Sequence, residues 1–198
     1  MPPPIAPGEP PLVLASASPR REDLLARIRT TFAVLPAEVE EHGGGPLTAR
    51  ETALLNAHRK ARARAKTLPD CLVLGADTVV CLDETLLGKP PTQAAAREML
   101  TRLQGRTHRV ITAVCLLHLR RHRERLFAET TWVTFRPLTA AQIDAYLARI
   151  NPLDKAGAYA IQEHGEELVA ELRGSFSNVM GLPLERLCAE WPVEWFAE

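Results

Sequence analysis

The chain has 198 residues, 46% of them hydrophobic and 24% charged, and its 24 Lys plus Arg are balanced by 24 Asp plus Glu. That composition suits a soluble globular α/β core, and the neutral balance gives no electrostatic draw towards nucleic acid or a membrane surface. No apolar run approaches the ~18 residues of a membrane span, and the proline-rich Met1–Gly8 carries no apolar core of signal-peptide length, so a cytoplasmic protein is expected.

Residues 1–11 are expected to be a disordered proline-rich tail, and residues 12–198 a single domain. Leu12–Ala15 reads as a short apolar strand. It runs into Ser16-Ala17-Ser18-Pro19-Arg20-Arg21, with Ser18 placed as a helix N-cap and Pro19 as the first helical residue. After a second strand near Phe32–Leu35 come the acidic Glu38–Glu41 and a glycine loop. Thr48 and Glu51 then form a capping box for a long helix reaching about Lys66. On it, Ala53, Ala57, Ala61 and Ala65 make one stripe, and Asn56, Lys60 and Arg64 another.

The strand that follows, Cys71 to Cys81, is apolar throughout except at Asp77-Thr78. Such runs are strands covered on both faces, where an ionised carboxylate is costly unless a cation or donors compensate it. Asp77 therefore stands either where a buried strand opens into a cleft, as a general base or metal ligand, or in a structural turn or ion pair. Gly75 just before it allows a ligand or another backbone to approach closely.

Leu86-Leu87-Gly88-Lys89-Pro90 puts a lysine in a rigid turn, and Thr92 caps a helix with Ala96, Met99, Leu100 and Leu103 at helical spacing. Val110–Leu119 and Leu126–Phe135 read as strands joined by the charged turn Arg120–Arg125. Thr139 and Gln142 make a second capping box, and a polar, glycine-bearing segment spans Asp154–Gly165. A strand near Leu168–Leu172 and a helix over Leu184–Glu190 complete an α/β order consistent with one domain, a mixed sheet and a cleft between two lobes. The four cysteines form no CxxC pair, as expected of free thiols in a reducing compartment.

Ser16–Arg21 joins a strand end to a helix N-terminus with two arginines. That pattern suits phosphate, and equally suits an ordinary capped helix with solvated arginines. Lys60 and Lys89 stand as phosphate contacts or as solvated lysines. Asp154-Lys155 to Gln162 could offer a carboxylate, an ammonium and an amide to one ligand. The chain has no GxxxxGK[ST], GxGxxG or GxSxG motif, and its histidines show no metal-binding pair.

Leu14–Arg21, Gly75–Val80, Gly88-Lys89-Pro90, Asp154–Tyr159 and Gly174–Pro183, in that order, resemble the Maf family of nucleoside triphosphate pyrophosphatases, a family once named for an effect on septum formation. Smaller blocks around Glu41, Lys60 and Gly105–His108 fit as well. The resemblance implies an inosine triphosphate pyrophosphatase-like fold, with an elongated mixed sheet flanked by helices and a central cleft between two lobes. It implies hydrolysis of a nucleoside triphosphate to the monophosphate and pyrophosphate with a divalent cation, usually Mg²⁺, and it is compatible with a homodimer. By resemblance, Asp77 is the proton acceptor and Ser16, Arg21, Lys60, Lys89 and Lys155 contact phosphate. Glu41, Asp77 and Asp154 are the acids near the metal, and Arg20, Thr78 and Gln162 set specificity.

Relatives acting on dTTP and UTP share Pro19-Arg20-Arg21, Asp77-Thr78 and Tyr159-Ala160-Ile161-Gln162, whereas the branch acting on 7-methyl-GTP has tryptophan where Arg20 stands. Gln162 suits a neutral pyrimidine, since an amide both donates and accepts. Ala160, where glycine is common, and Glu163-His164-Gly165 depart from the family pattern. The expectation is a dTTP/UTP pyrophosphatase. The alternatives are a 7-methyl-GTP pyrophosphatase and a nucleotide-binding regulator of cell division with little turnover.

Overall fold

A computed structural model describes residues 8–43 and 45–196. Its scaffold is a seven-stranded mixed sheet in the order β2-β1-β3-β5-β6-β7, with β4 paired to β3. The strands are β1 (Leu12–Leu14), β2 (Ala33–Val34), β3 (Leu72–Leu82), β4 (Thr85–Leu87), β5 (Thr107–His118), β6 (Arg123–Phe135) and β7 (Val169–Arg173). β1 runs parallel to β2 and β3, and every later pairing is antiparallel. The helices are α1 (Pro19–Ala26), α2 (Ala49–Ala65), α3 (Gln93–Leu103), α4 (Ala140–Leu147), the single turn α5 (Gly165–Leu168), α6 (Phe176–Met180) and α7 (Leu184–Ala189). The expected α/β fold with one mixed sheet flanked by helices is therefore the observed one.

Both capping boxes form. Thr48 accepts the Glu51 N–H while Glu51 accepts the Thr48 N–H, and Thr139 and Gln142 do the same for α4. At α1, Ser18 occupies the N-cap position in an extended conformation, but its side chain makes no capping bond. The charged hairpin turn is shorter than expected, because Arg123–Arg125 already pair with Leu116–His118 inside β6. At the N-terminus, residues 1–7 of the expected tail lie outside the described residues. Residues 9–11 are tied down: Pro11 accepts the Leu72 N–H, and Glu9 pairs with Arg29 at 3.3 Å and accepts the Trp191 indole N–H.

Strand periodicity divides β3 between its neighbours. Odd residues Val73 and Cys81 face the alanine stripe of α2, which packs as Ala49, Ala53, Ala57, Ala61 and Ala65. On the opposite face, Leu72, Leu74 and Ala76 join Leu24 and Leu25 of α1 and Leu187 of α7. Farther along that face, Val80 and Leu82 join Leu100 of α3 and Ile143 and Tyr146 of α4. Thr78 lies where the two apolar fields part. β5 repeats the division, with Val110 in one field, Val114 and Leu116 in the other and Thr112 between them. A polar seam thus crosses the sheet between two lobes. Thr78 Oγ1 is 3.0 Å from Thr112 Oγ1, Thr112 donates to the Asn178 carbonyl, and the Asn178 amide donates to Thr131 Oγ1 and the Val110 carbonyl.

Candidate active site

A cleft of about 320 Å³ opens where the two lobes separate, above Asp77 and Thr78. Asp77 is on the α2 side of β3 and only 5% exposed. Its burial is compensated from the facing helix: Lys60 donates to Oδ1 at 2.7 Å and Asn56 donates to Oδ2 at 3.1 Å. These two residues are one helical turn apart and so share a face. Their reach depends on the close approach of α2 to β3 at Gly75, where a Cβ would meet the backbone of Ala57 and Ala61. Of the two partners that a glycine there could admit, it is the helix backbone that approaches.

Lys60 also pairs with Glu41 Oε1 at 2.6 Å, so one ammonium bridges two carboxylates. Burial raises the Glu41 carboxyl, but the hydrogen bond and charge of Lys60, with Lys89 and Arg21, hold it below the usual value. Asn56 fixes the loop that carries Glu41 by accepting the His42 N–H and donating to the His42 carbonyl.

On the other wall, Arg21 is buried and bonds through each nitrogen of its fork, with one N–H of each Nη to spare: Nε donates to the Gly181 carbonyl at 2.9 Å, Nη1 to Ser16 Oγ at 3.0 Å and Nη2 to Thr78 Oγ1 at 2.9 Å. Burial lowers its pKa, opposed by Asp77 and Glu41. Gly181 has φ 114°, a conformation glycine tolerates, and this turn presents its carbonyl to Arg21. Ser16 Oγ also accepts the Ser18 N–H at 3.3 Å. Because the Ser18 side chain does not cap α1, the first turn of that helix faces the cleft without a capping hydroxyl.

The third wall is the segment after Asn151. Lys155 is buried and donates to the Asn151 carbonyl at 2.8 Å and to Asp154 at 2.9 Å. Burial raises the Asp154 carboxyl, but Lys155 and Arg20 hold it below its ordinary value, and Arg20 stands 3.6 Å away. Gln162 and Lys89 are exposed at the cleft mouth.

Every residue singled out from the sequence lines this one cleft: Ser16, Arg20, Arg21, Glu41, Lys60, Asp77, Thr78, Lys89, Asp154, Lys155 and Gln162. They arrive from β1–α1, α2, β3 and three loop segments: the loop before α2, the one after β4 and the stretch between α4 and α5. Thr78, expected at a substrate-facing position, has its hydroxyl engaged by Arg21 and Thr112. The three expected metal-side acids do not gather. Among the described residues, the only His, Cys, Asp or Glu group with three ligand atoms within 4.8 Å is the exposed His164, Glu166 and Glu167. Asp154 instead belongs with Lys155 and Arg20. Glu41 and Asp77, which share one cation and open to the cleft, do fit Mg²⁺, which takes one or two carboxylates and completes its shell with phosphates and water.

Sequence reasoning gave no role to Asn56, although its spacing from Lys60 places both on one helical face. It also passed over Thr112, which interrupts an apolar strand as Asp77 does. Asn178 has a link to the seam that depends on which strands pair, and no local pattern reveals it.

The family model described as "Maf-like protein" matches residues 11–191. A dTTP/UTP pyrophosphatase of Moorella thermoacetica is 51% identical over 188 residues, covering 92% of this chain and 96% of that protein. One from Symbiobacterium thermophilum is 45% identical over 175 residues, covering 88% and 89%. A HAM1 protein of Coxiella burnetii overlaps 63% of this chain and 72% of its own at 17% identity and a TM-score of 0.41, too little to argue from. The matched residues include the strand, helices and loops that build the cleft, and the chain belongs to the Maf-like protein family.

Proposed function

We propose that this chain is a nucleoside triphosphate pyrophosphatase acting on dTTP and UTP. Water attacks the α-phosphorus, the bond from that phosphorus to the bridging oxygen breaks, and the nucleoside monophosphate and pyrophosphate leave. The observation that carries this reading is the convergence, around a buried carboxylate, of five cationic side chains from four separate segments: Arg20 and Arg21 of α1, Lys60 of α2, Lys89 and Lys155. A polyanion is the ligand that such a set of charges fits. The names of the relatives supply the substrate class.

In this reading Asp77 orients the attacking water and accepts its proton. Each carboxylate oxygen has a second lone pair, so the bonds from Lys60 and Asn56 leave room for it. Arg21 and Ser16, with the open first turn of α1, hold the phosphates, and Lys89 and Lys155 approach the chain from the opposite side. Glu41 and Asp77 would hold Mg²⁺, which when bound neutralises charge on the phosphate oxygens. Asp154 orients Lys155 and Arg20. Gln162 reads the base, its amide matching the carbonyl and N–H of uracil or thymine.

The reading sets the protein in the cytoplasm, and its four free cysteines support a reducing compartment. No helix among the described residues is long and apolar enough to cross a membrane.

A screen of purified protein against the common nucleoside triphosphates and 7-methyl-GTP, with Mg²⁺ and with chelator, tests the proposal. Monophosphate and pyrophosphate from dTTP and UTP, lost on chelation, are expected. Turnover of 7-methyl-GTP alone would overturn the base assignment, and no turnover of any nucleotide would overturn the activity.

A further inference from the structure

The segment between Lys155 and Gln162 adopts a conformation that its own residues do not favour. Gly157 and Ala158 follow one another in the left-handed region, at φ 73° and 65°. Glycine is at ease there, but an alanine is raised by ~1 kcal/mol, so its surroundings must hold it. Ala158 is completely buried. Immediately after it, the Tyr159 hydroxyl lies 2.8 Å from His108 Nε2 on β5, and its ring sits edge-on to Phe135 at 4.9 Å and to His108 at 5.4 Å. One residue farther on, the Tyr146 hydroxyl of α4 accepts the Ala160 N–H at 3.1 Å and reaches the Ala160 carbonyl at 3.4 Å. The backbone leading to Ile161 and Gln162 is thus pinned at two successive residues by polar atoms from outside the cleft.

Neither His108 nor Tyr146 is among the described residues that line the cleft, and both are sealed from solvent. An apolar core would be served as well by phenylalanine at 146 and leucine at 108. Instead, His108 keeps Nδ1 buried with no hydrogen-bond partner among the described residues, an arrangement that costs ~1–3 kcal/mol, and burial lowers its pKa to about 4. Polar atoms retained against stability point to placement rather than packing.

We propose that His108 and Tyr146 are positioning residues for nucleobase recognition: through Tyr159 and Ala160 they set where Ile161 and Gln162 stand in the cleft. This rests on the reading of the cleft as a pyrimidine nucleotide site. Lys155 pairs with Glu163 of that wall at 3.4 Å but has two shorter anchors outside it, the Asn151 carbonyl at 2.8 Å and Asp154 at 2.9 Å, so phosphate placement is less affected than base placement when the base wall shifts.

The test uses full-length Tyr146→Phe, Tyr159→Phe, His108→Leu and His108→Gln, each first shown to be folded by its melting curve. Steady-state kinetics are then measured with UTP, dTTP and CTP. The tyrosine variants lose one oxygen and keep the ring. For them and for His108→Leu, KM for UTP and dTTP is expected to rise about tenfold, the worth of one good hydrogen bond, with kcat within about threefold of wild type. The preference for UTP over CTP narrows by a similar factor, since cytosine presents the opposite pattern of donors and acceptors to Gln162. His108→Gln, whose amide reaches about as far as Nε2, restores most of the lost KM. Folded variants with unchanged KM and preference, or a uniform fall in kcat for all three nucleotides, would overturn the proposal. So would a glutamine variant as impaired as the leucine variant. A wild-type protein inactive on UTP and dTTP would instead remove the nucleotide reading beneath it.

Discussion

Replacing Gly75 by alanine is expected to damage stability and activity together, because one contact serves both. The new Cβ would overlap the Ala57 carbonyl oxygen and lie 2.6 Å from the Ala61 nitrogen and 2.9 Å from the Ala61 Cβ. Two of these are backbone atoms of α2, so no rotamer change relieves the clash and the helix itself must withdraw. Overpacking of this kind costs ~1–3 kcal/mol, and the backbone contact puts Gly75→Ala at the upper end. In a chain of this size ~1 kcal/mol lowers Tm by ~2–4 °C, so a fall of ~6–12 °C is predicted. Withdrawal of α2 also carries Lys60 and Asn56 away from Asp77, which they now meet at 2.7 and 3.1 Å. Misplacement by ~1 Å near reacting groups can cost ~100-fold in rate. Thermal unfolding followed by circular dichroism, with turnover of dTTP measured where both proteins are folded, reads both effects. A Gly75→Ala protein melting within ~2 °C of wild type with turnover within about twofold would refute the argument.

Three further outcomes are expected. Lys60→Met removes the ammonium shared by Glu41 and the buried Asp77; breaking such a pair costs ~3 kcal/mol, and Asp77→Asn added to it should recover part of the loss. Denaturant titrations check this, and a Lys60→Met protein as stable as wild type would contradict it. Burial holds His108 at about 4 against an ordinary 6.5, so the unfolded chain binds the extra proton between those values and stability falls as pH drops from 6.5 to 4. Over that window the loss is of order 3 kcal/mol, and urea midpoints of wild type and His108→Gln should diverge with it; parallel curves would count against the buried, neutral imidazole. A chain starting at Pro11 loses Glu9, which pairs with the 4%-exposed Arg29 while that guanidinium lies 4.1 Å over Trp191. It should melt several degrees lower yet keep its turnover, because neither Glu9 nor Arg29 lines the cleft; an unchanged Tm would show that the pair contributes nothing.

How much of this was legible in the sequence follows from where the information sits. Asp77 stood out because an ionised group in an apolar strand breaks a strong local rule, and its compensating partners lie one helical turn apart on α2. The capping boxes fixed the starts of α2 and α4 because their chemistry spans only four residues. Ser18 was placed at the right position with the wrong side-chain bond. Its N–H turns to Ser16 because Arg21 draws that serine into the cleft wall. The polar seam joining Thr78, Thr112, Asn178 and Thr131 was not legible, because it exists only once β3, β5 and β6 are in register and α6 is laid across them. The same holds for Glu9, whose partners are distant in sequence, and for the separation of Asp154 from Glu41 and Asp77. Short elements such as β4 and α6 carry too little periodicity to announce themselves.

The measurement that bears most directly on the account is product formation from dTTP and UTP by wild type and Asp77→Asn side by side, with Mg²⁺ and with folding verified. Asparagine keeps the shape and the place beside Lys60 and Asn56 but cannot take a proton from water. The account predicts monophosphate and pyrophosphate from the wild type and a loss of at least ~100-fold in the variant. Turnover of Asp77→Asn within a few-fold of wild type would contradict it and move the base to another residue.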